Sequence, residues 1–437
     1  MTKMGVQNVE RTTFYIPQAT FNLLHMGHII TAIDIGTTAI SAIVAEKQKD
    51  GGIRVLGVAQ SPTFGMRKGT VADIDEVVAS LKKCVEDASK SSGVRVRRAV
   101  VGVSGTHIHT SHVRGVVAIS RADGEIVHED VQRVIQAAEN SMPKNPNREI
   151  IHIVPREYTI DSEDGIKDPV GMSGIRLEVD AMVVDGSKSS LKAIVKCIEG
   201  AGLEIDDFVF SSLASAEAVL SRRQKELGVM LLDIGGGTSD FSVWEEGRLI
   251  HAGVFSVGGT HITHDIAVGL QVHVDMAEKI KLEFGHSLPE TFSKKETIKL
   301  ADLGLNDQSV FLKRHIAEII EARLKDILEL AAKELKRIDR SGLLPAGVVL
   351  IGGASRIPGI EEIAKKELKL PIEVGKTVNL PHEADKGLQE LLFAYPVALG
   401  LIAWQVNKAS GDNPYFYNAT FTLVASKVKN WLRVFIP

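Results

Sequence analysis

Cysteine is nearly missing from this chain. Cys84 and Cys197 are the only two in 437 residues. They lie far apart in sequence, offer neither a disulfide framework nor a zinc ligand set, and suit a reducing cytosol. Aromatic residues make up only 5%, too few for the stacking platforms of a single-strand nucleic-acid binder. The net charge of −4 gives no global basic face for a duplex, so nucleic acid is not an expected partner. Long apolar runs are missing as well. The longest stretch free of charged or strongly polar groups, Ala394 to Trp404, is eleven residues and contains Pro396, against the roughly 20 that a transmembrane helix needs. Met1 to His28 has weak periodicity and lacks the basic start and apolar run of a signal peptide. It reads as a tail, or as an extension ahead of a start at Met26, and the second reading is preferred.

What is present is a chain with ample core material. Apolar residues are 44% and charged residues 24%, and the length suits two to four compact units. Strands are expected at Ile29–Ile33, Ala39–Ala45 and Ile53–Ala59. Ile74, Val77, Val78, Leu81, Val85 and Ala88 then share one face of a helix with Asp73 as its N-cap. From Val94 the pattern changes. Strands at Val96–Val103 and Gly115–Ile119, a helix at His128–Asn140, and two short strands at Ile150–Val154 and Glu157–Ile160 read as a self-contained α+β insert over about 94–165. A strand over Gly174–Val184 and helices over Ser187–Gly200 and Ser211–Arg222 follow. Further on, the periodicity predicts helices at Ile262–Leu270, Met276–Phe284, Val310–Ile338 and Pro358–Leu368. The stripe on the long helix Val310–Ile338 reads as core and not as a coiled coil at this length. Pro396 is expected to kink or break a helical stretch over Gly387–Trp404.

The organising feature is an internal repeat. Ile29-Ile30-Thr31-Ala32-Ile33-Asp34-Ile35-Gly36-Thr37-Thr38 is echoed about half a chain later by Gly228-Val229-Met230-Leu231-Leu232-Asp233-Ile234-Gly235-Gly236-Gly237-Thr238-Ser239-Asp240. In each, an aspartate closes a buried strand and a glycine turn follows. Glycine admits a phosphate close to the backbone, consecutive amides form an anion nest, and Thr37, Thr38 and Thr238 add hydroxyls. The aspartates, Asp34 and Asp233, would be repelled by phosphate and are better placed to hold waters on Mg²⁺. One such triplet by itself also reads as an ordinary hairpin; two copies in matching contexts shift the balance, and Val348-Val349-Leu350-Ile351-Gly352-Gly353-Ala354-Ser355 adds a third strand ending in a double glycine. His107, His109 and His112 have a metal-like spacing, but no fourth ligand accompanies them.

Together the three segments resemble, in order, the two phosphate motifs and the adenosine motif of the superfamily that unites actin, the heat-shock chaperone ATPases and hexokinase. The resemblance implies an α/β fold of two duplicated lobes around ATP and Mg²⁺. It also implies that Gly258 and Gly259 contact phosphates, and that Glu278 and Lys281 hold ribose and base with Gly352, Gly353 and Ser355. Without it, Glu278 and Lys281 read as a solvated i, i+3 pair. Within the superfamily the chain is similar to the FtsA family of actin-like bacterial division proteins. The segments that carry this are Val100-Val101-Gly102-Val103-Ser104-Gly105-Thr106-His107, Glu157-Tyr158-Thr159-Ile160-Asp161, Gly165 to Met172, and Gly258 to Ala267.

The FtsA resemblance implies 29–93 and 166–227 as subdomain 1A, 94–165 as an inserted subdomain 1C, 228–260 and 341–385 as 2A, 261–340 as 2B and 386–406 as a return helix. It departs from the family at Ser211, where many members carry an acid. That departure argues for weak or absent hydrolysis and leaves any enzymatic role open, with a metabolic kinase not expected.

Residues 407–418 read as a linker, and the segment 419–437 as an amphipathic helix. Val424, Val428, Trp431, Leu432, Phe435 and Ile436 share one face, with Lys427, Lys429 and Arg433 opposite, as in an interfacial helix on anionic lipid. A terminal helix docked on its own domain has the same periodicity, and FtsA relatives end in a membrane-targeting helix. The resemblance implies a protein on the cytoplasmic face of the membrane at the division site. Its implied partners are the FtsZ C-terminal peptide, further copies of itself in a head-to-tail filament, and later division proteins. A PilM-like pilus adaptor and an acid or sugar kinase are the alternatives on the same fold.

Overall fold

A computed structural model describes residues 28–48, 52–143, 145–303, 309–376 and 394–410. The first 27 residues, the stretch 377–393 and the amphipathic tail lie outside these. The repeat seen in sequence is a repeat of sheets. In the first lobe, β1 (His28–Ile35), β2 (Ala39–Lys47) and β3 (Ile53–Pro62) form an antiparallel meander, and β1 is flanked on its other side by two parallel strands, Arg98–Val103 and Glu204–Phe210, giving five strands in all. The second lobe has the same plan: Val229–Ile234, Ser239–Glu245 and Arg248–Phe255 in a meander, with Val348–Ile351 and Ile372–Val374 parallel to the first of them. The strands are near-continuous apolar runs because helices cover both faces. Ile33, Ile40, Ile43, Val100, Val101, Leu231 and Val349 are fully buried in one core that runs from the first lobe into the second.

The helices follow from amphipathic periodicity. Helix α1 (Ile74–Ser92) is capped by Asp73, whose carboxylate accepts the Glu76 amide at 3.1 Å, and Val77, Leu81, Cys84, Val85 and Ala88 face the sheet. The long helix Lys313–Arg337 buries Ile316, Ile320, Leu324, Ile327, Leu328, Ala331 and Leu335 in the second lobe's core. It starts three residues later than the periodicity suggested, because Val310–Leu312 pairs as a strand with Thr297–Lys299. The helix expected over Ser211–Arg222 ends at Val219, and a second helix, Arg222–Leu227, begins behind a Ser221–Gln224 capping box. Pro396 is the first residue of the return helix Pro396–Ser410, where its missing amide costs nothing. That helix continues into the expected linker as far as Ser410.

The insert is a four-stranded sheet, order Ile108–Ala118, Arg176–Ser187, Arg148–Ile160, Glu163–Ile166, covered by helix α2 (His128–Ser141). Its limits differ from the expected 94–165. Arg98–Val103 belongs to the first lobe's sheet and Arg176–Ser187 to the insert's. A fully buried strand has the same appearance in either sheet, so the apolar run at 96–103 carried no sign of its owner. The two strands expected around Pro155 are one, with a register shift beside Pro155, a place where a sheet tolerates a residue without an amide.

Candidate functional site

The glycine turns sit at the carboxyl ends of the central strands of both sheets, where open α/β sheets bind ligands. They face each other. A Cβ on Gly236 would lie 2.5 Å from Thr38 Cγ2, and one on Gly237 would lie 2.5 Å from Thr37 Oγ1. No larger residue fits either position with the lobes in this arrangement. The amides of Thr37, Thr38, Gly236 and Gly237 have no acceptor among the described residues, so successive backbone donors line both turns as in an anion nest. A cavity of about 380 Å³ lies away from the turns, between the insert and the second lobe, lined by Arg156, Arg248 and Arg340 among others.

The second turn is braced from behind. The Gly259 amide donates to the Gly235 carbonyl at 2.8 Å, and the Thr260 amide to that of Gly236 at 2.9 Å. A Cβ on Gly258 would strike the Gly235, Gly236 and Thr238 carbonyls at 2.5 to 2.9 Å. Gly258 and Gly259 therefore hold the turn's shape. On the helix Val274–Phe284, Glu278 and Lys281 do not form a solvated pair. Lys281 Nζ donates to Glu278 at 2.7 Å, to Thr263 Oγ1 at 2.9 Å and to the Gly259 carbonyl at 3.3 Å, with its side chain 12% exposed. Gly352 has φ +88°, and a Cβ there would fall 2.3 Å from Asp233 Oδ1. Only glycine satisfies both conditions. Gly353 has open space over it, and Ser355 Oγ donates back to the Gly352 carbonyl at 2.7 Å.

Under the turns lie three carboxylates. Asp34 is in register with Gly102, and Asp233 pairs directly with Asp240. Asp240 is buried and accepts a 2.6 Å hydrogen bond from Ser104 Oγ of the first lobe, so this contact crosses between the lobes. Burial, and then the charge of Asp233, pushes Asp34 up to about 7. Burial pushes Asp233 up to about 6. Asp240 is raised well above the carboxylate range by burial and then by Asp233 and Asp34, against the Ser104 hydrogen bond. No cation pairs with any of the three among the described residues. Among the described residues no three carboxylate, histidine or cysteine side chains are grouped to ligate a metal ion directly, so a divalent cation here would be held through its waters, where it would offset the mutual repulsion. Ser211 begins the helix after Glu204–Phe210, and its Oγ lies 3.3 Å from a Cβ built on Gly102. It stands beside Asp34, where many relatives were expected to place an acid.

The sequence reading missed Asp240 and Ser104. A signal existed for Asp240, an acid inside the apolar run Ser239 to Trp244, but nothing in sequence pairs it with Asp233. Among the described residues the histidines are not grouped to hold a metal: His107 is half-buried with both ring nitrogens buried, while His112 lies beside Arg156 and Asp180.

Two lobes of repeated sheet topology, joined under opposed glycine turns, define an actin-like fold of the ATPase superfamily, with an α+β subdomain inserted in the first lobe. Solved structures of this fold include the PilM-PilN type IV pilus biogenesis complex (TM-score 0.62, 18% identity, covering 86% of this chain and 98% of that one) and MreB 5 of Spiroplasma citri bound to AMPPNP (TM-score 0.52, 12% identity, 88% and 98%). Two family models match: the SHS2 domain inserted in FtsA at residues 105–185, and cell division protein FtsA at 230–394. The chain is 33% identical to the cell division protein FtsA of Pseudomonas aeruginosa over 416 residues, covering 93% of this chain and 98% of that protein. It is 37% identical to that of Bacillus subtilis over 352 residues, covering 80% and 79%. The chain belongs to the FtsA family of cell division proteins.

Proposed function

We propose that this chain is an ATP-binding adaptor that self-associates head to tail and ties FtsZ filaments to the cytoplasmic face of the membrane at the division site, recruiting later division proteins. The observation that carries the nucleotide half is the opposition of Thr37 and Thr38 to Gly236 and Gly237, with free amides on both sides. In this reading those amides receive the phosphates of ATP. Asp34 and Asp233 hold waters on Mg²⁺, and Gly352, Gly353 and Ser355 admit the adenosine beside Glu278 and Lys281. Mg²⁺ supplies the positive charge that lets carboxylates and phosphates share one space. Ser211 offers a hydroxyl where an acid would orient water, so hydrolysis is slow and no sugar or carboxylic acid is phosphorylated.

The membrane half rests on the residue pattern of the tail, outside the described residues, and on the family. Burying Trp431, Leu432, Phe435 and Ile436 removes roughly a few hundred Å² of apolar area from water, several kcal/mol at about 25 cal/mol per Å² before ordering costs. Val428 extends that face. Lys427, Lys429 and Arg433 each add on the order of 1 kcal/mol near anionic lipid. One such helix binds reversibly, and assembly strengthens it by avidity. Family membership favours FtsZ, through its C-terminal peptide on the second lobe, over a pilus component as partner; a pull-down against both separates the two. The nucleotide reading is tested by Gly236→Val, which places methyl groups against Thr38. Calorimetry should show ATP affinity reduced by at least tenfold, and unchanged affinity would remove the site from these turns.

A further inference from the structure

The two ends of the first lobe's sheet are chemically different. At one end stand Asp34, Gly102 and Ser211, and the return helix starts there: a Cβ on Gly102 would lie 3.2 Å from Val397 Cγ1. At the other end that helix finishes. Lys47 Nζ donates to the Val406 carbonyl at 3.5 Å, and Lys408 pairs with Asp207 at 2.9 Å. The chain therefore sets out towards its amphipathic tail from the end of the lobe opposite the phosphate turns.

The strand register gathers basic residues around this exit. Lys47 ends β2, Arg54 is the second residue of β3 and lies opposite Glu46, and the loop from α1 to the strand Arg98–Val103 carries Arg95 and Arg97. Arg54, Arg95, Arg97, Arg98 and Lys408 are all exposed. Arg98 and Lys408 are held by Asp206 and Asp207. Arg54, Arg95 and Arg97 have no ion-pair partner among the described residues. Among the described residues the carboxylates of this end are Glu46, Glu204, Asp206 and Asp207, of which Asp206 and Asp207 pair with Arg98 and Lys408 and Glu46 is also engaged, while Lys196 and Glu199 near the end of the helix Lys188–Gly200 are of opposite charge. The surplus is positive, and guanidinium forks match phosphate geometry.

We infer that the end of the first lobe around Arg54, Arg95 and Arg97 is a second membrane contact, which engages the phosphate headgroups of anionic lipid while the tail inserts beside it. The inference rests on the membrane reading of the tail. The return helix ends at Ser410 and the predicted tail helix begins at 419, so few residues separate this end from an inserted tail and the second contact forms at high effective concentration. It gives the protein an orientation, with the phosphate turns pointing away from the bilayer. It also makes attachment depend on lipid charge and salt beyond what Lys427, Lys429 and Arg433 supply.

The test is flotation of the full chain with vesicles of phosphatidylglycerol and phosphatidylcholine, and of phosphatidylcholine alone, across a salt series. The triple variant R54Q/R95Q/R97Q should bind the anionic vesicles about tenfold more weakly, with a flatter salt dependence, and bind the neutral vesicles as the parent does. A control of equal charge change on the second lobe, K295Q/K365Q/K366Q, should bind like the parent. Trp431→Glu should abolish flotation with both vesicles. If Trp431→Glu fails to float while the triple variant matches the parent in affinity and salt dependence, the tail reading stands and this second contact is overturned. If Trp431→Glu floats like the parent, the tail reading is overturned and the second contact with it.

Discussion

Asp34 shows how much a single position holds. It sits on the floor between the lobes with Asp233 and Asp240 nearby, and its pKa is raised to about 7 by burial and then by Asp233. An acid raised in the folded state is bound to its proton over a range where the unfolded chain has lost it. The stability this gives is complete below the unfolded pKa of about 4 and is lost as pH rises through 7. Without nucleotide, the melting temperature should therefore fall from about pH 4 through pH 7, with Asp233, raised to about 6, contributing over the lower part and Asp240, raised well above the carboxylate range, adding to the fall. Asp34→Asn should flatten the upper part of that slope and raise the melting point at pH 8, while weakening Mg²⁺-dependent ATP binding. A slope unchanged by Asp34→Asn would place the titration elsewhere. Gly352 gives a sharper case, since positive φ and the 2.3 Å approach to Asp233 both exclude a side chain. Gly352→Ala should cost about 1 to 3 kcal/mol of stability from backbone strain alone, seen as a lower denaturation midpoint, and should reduce ATP affinity by calorimetry. At this scale the sequence was informative where the chemistry is local. Asp-Ile-Gly after an apolar strand declares itself, whereas the Asp240–Ser104 bond joins residues of different lobes and needed the fold to be seen.

At the scale of elements, periodicity found the central strands and the longer helices among the described residues, because most are buried on one face and the spacing records it; it missed Glu204–Phe210, Arg248–Phe255 and short strands such as Glu163–Ile166 and Ile372–Val374. Its errors have physical causes. Val310–Leu312 reads as the start of a helix because a three-residue apolar stretch fits either period, and its pairing with Thr297–Lys299 decides. The insert's limits moved because strand ownership is set by long-range pairing. That revision changes how the insert can be tested. Ile108, Ile151, Val154, Met182 and Val184 of the insert pack into the first lobe's core, so excising it would expose apolar surface and unfold its neighbour. Its role as a contact surface, apart from nucleotide binding, is better probed from outside. Ile175 is 77% exposed, and Val116 and Met172 are exposed on the same subdomain. Ile175→Glu should leave ATP affinity and melting temperature within error of the parent and impair ATP-dependent assembly in sedimentation. Normal assembly of Ile175→Glu and of Val116→Glu would take self-association away from this face. The insert is also tied to the second lobe by Arg248, which pairs with Glu157 at 2.9 Å and donates to the Gly165 carbonyl, and by Lys167 with Glu226 at 2.8 Å.

For the whole molecule, the proposed reading sets the nucleotide at the junction of the lobes and the membrane attachment at the end of the first lobe where the return helix finishes. The account's central claim is that one chain carries FtsZ to the bilayer. Co-flotation tests it most directly: polymerised FtsZ, anionic vesicles, ATP and Mg²⁺, with the full chain or its Trp431→Glu variant. FtsZ should rise with the vesicles only when the full chain is present, and should stay at the bottom with Trp431→Glu or with no added chain. FtsZ that floats equally in all three samples, or that stays at the bottom although the full chain itself floats, would contradict the account.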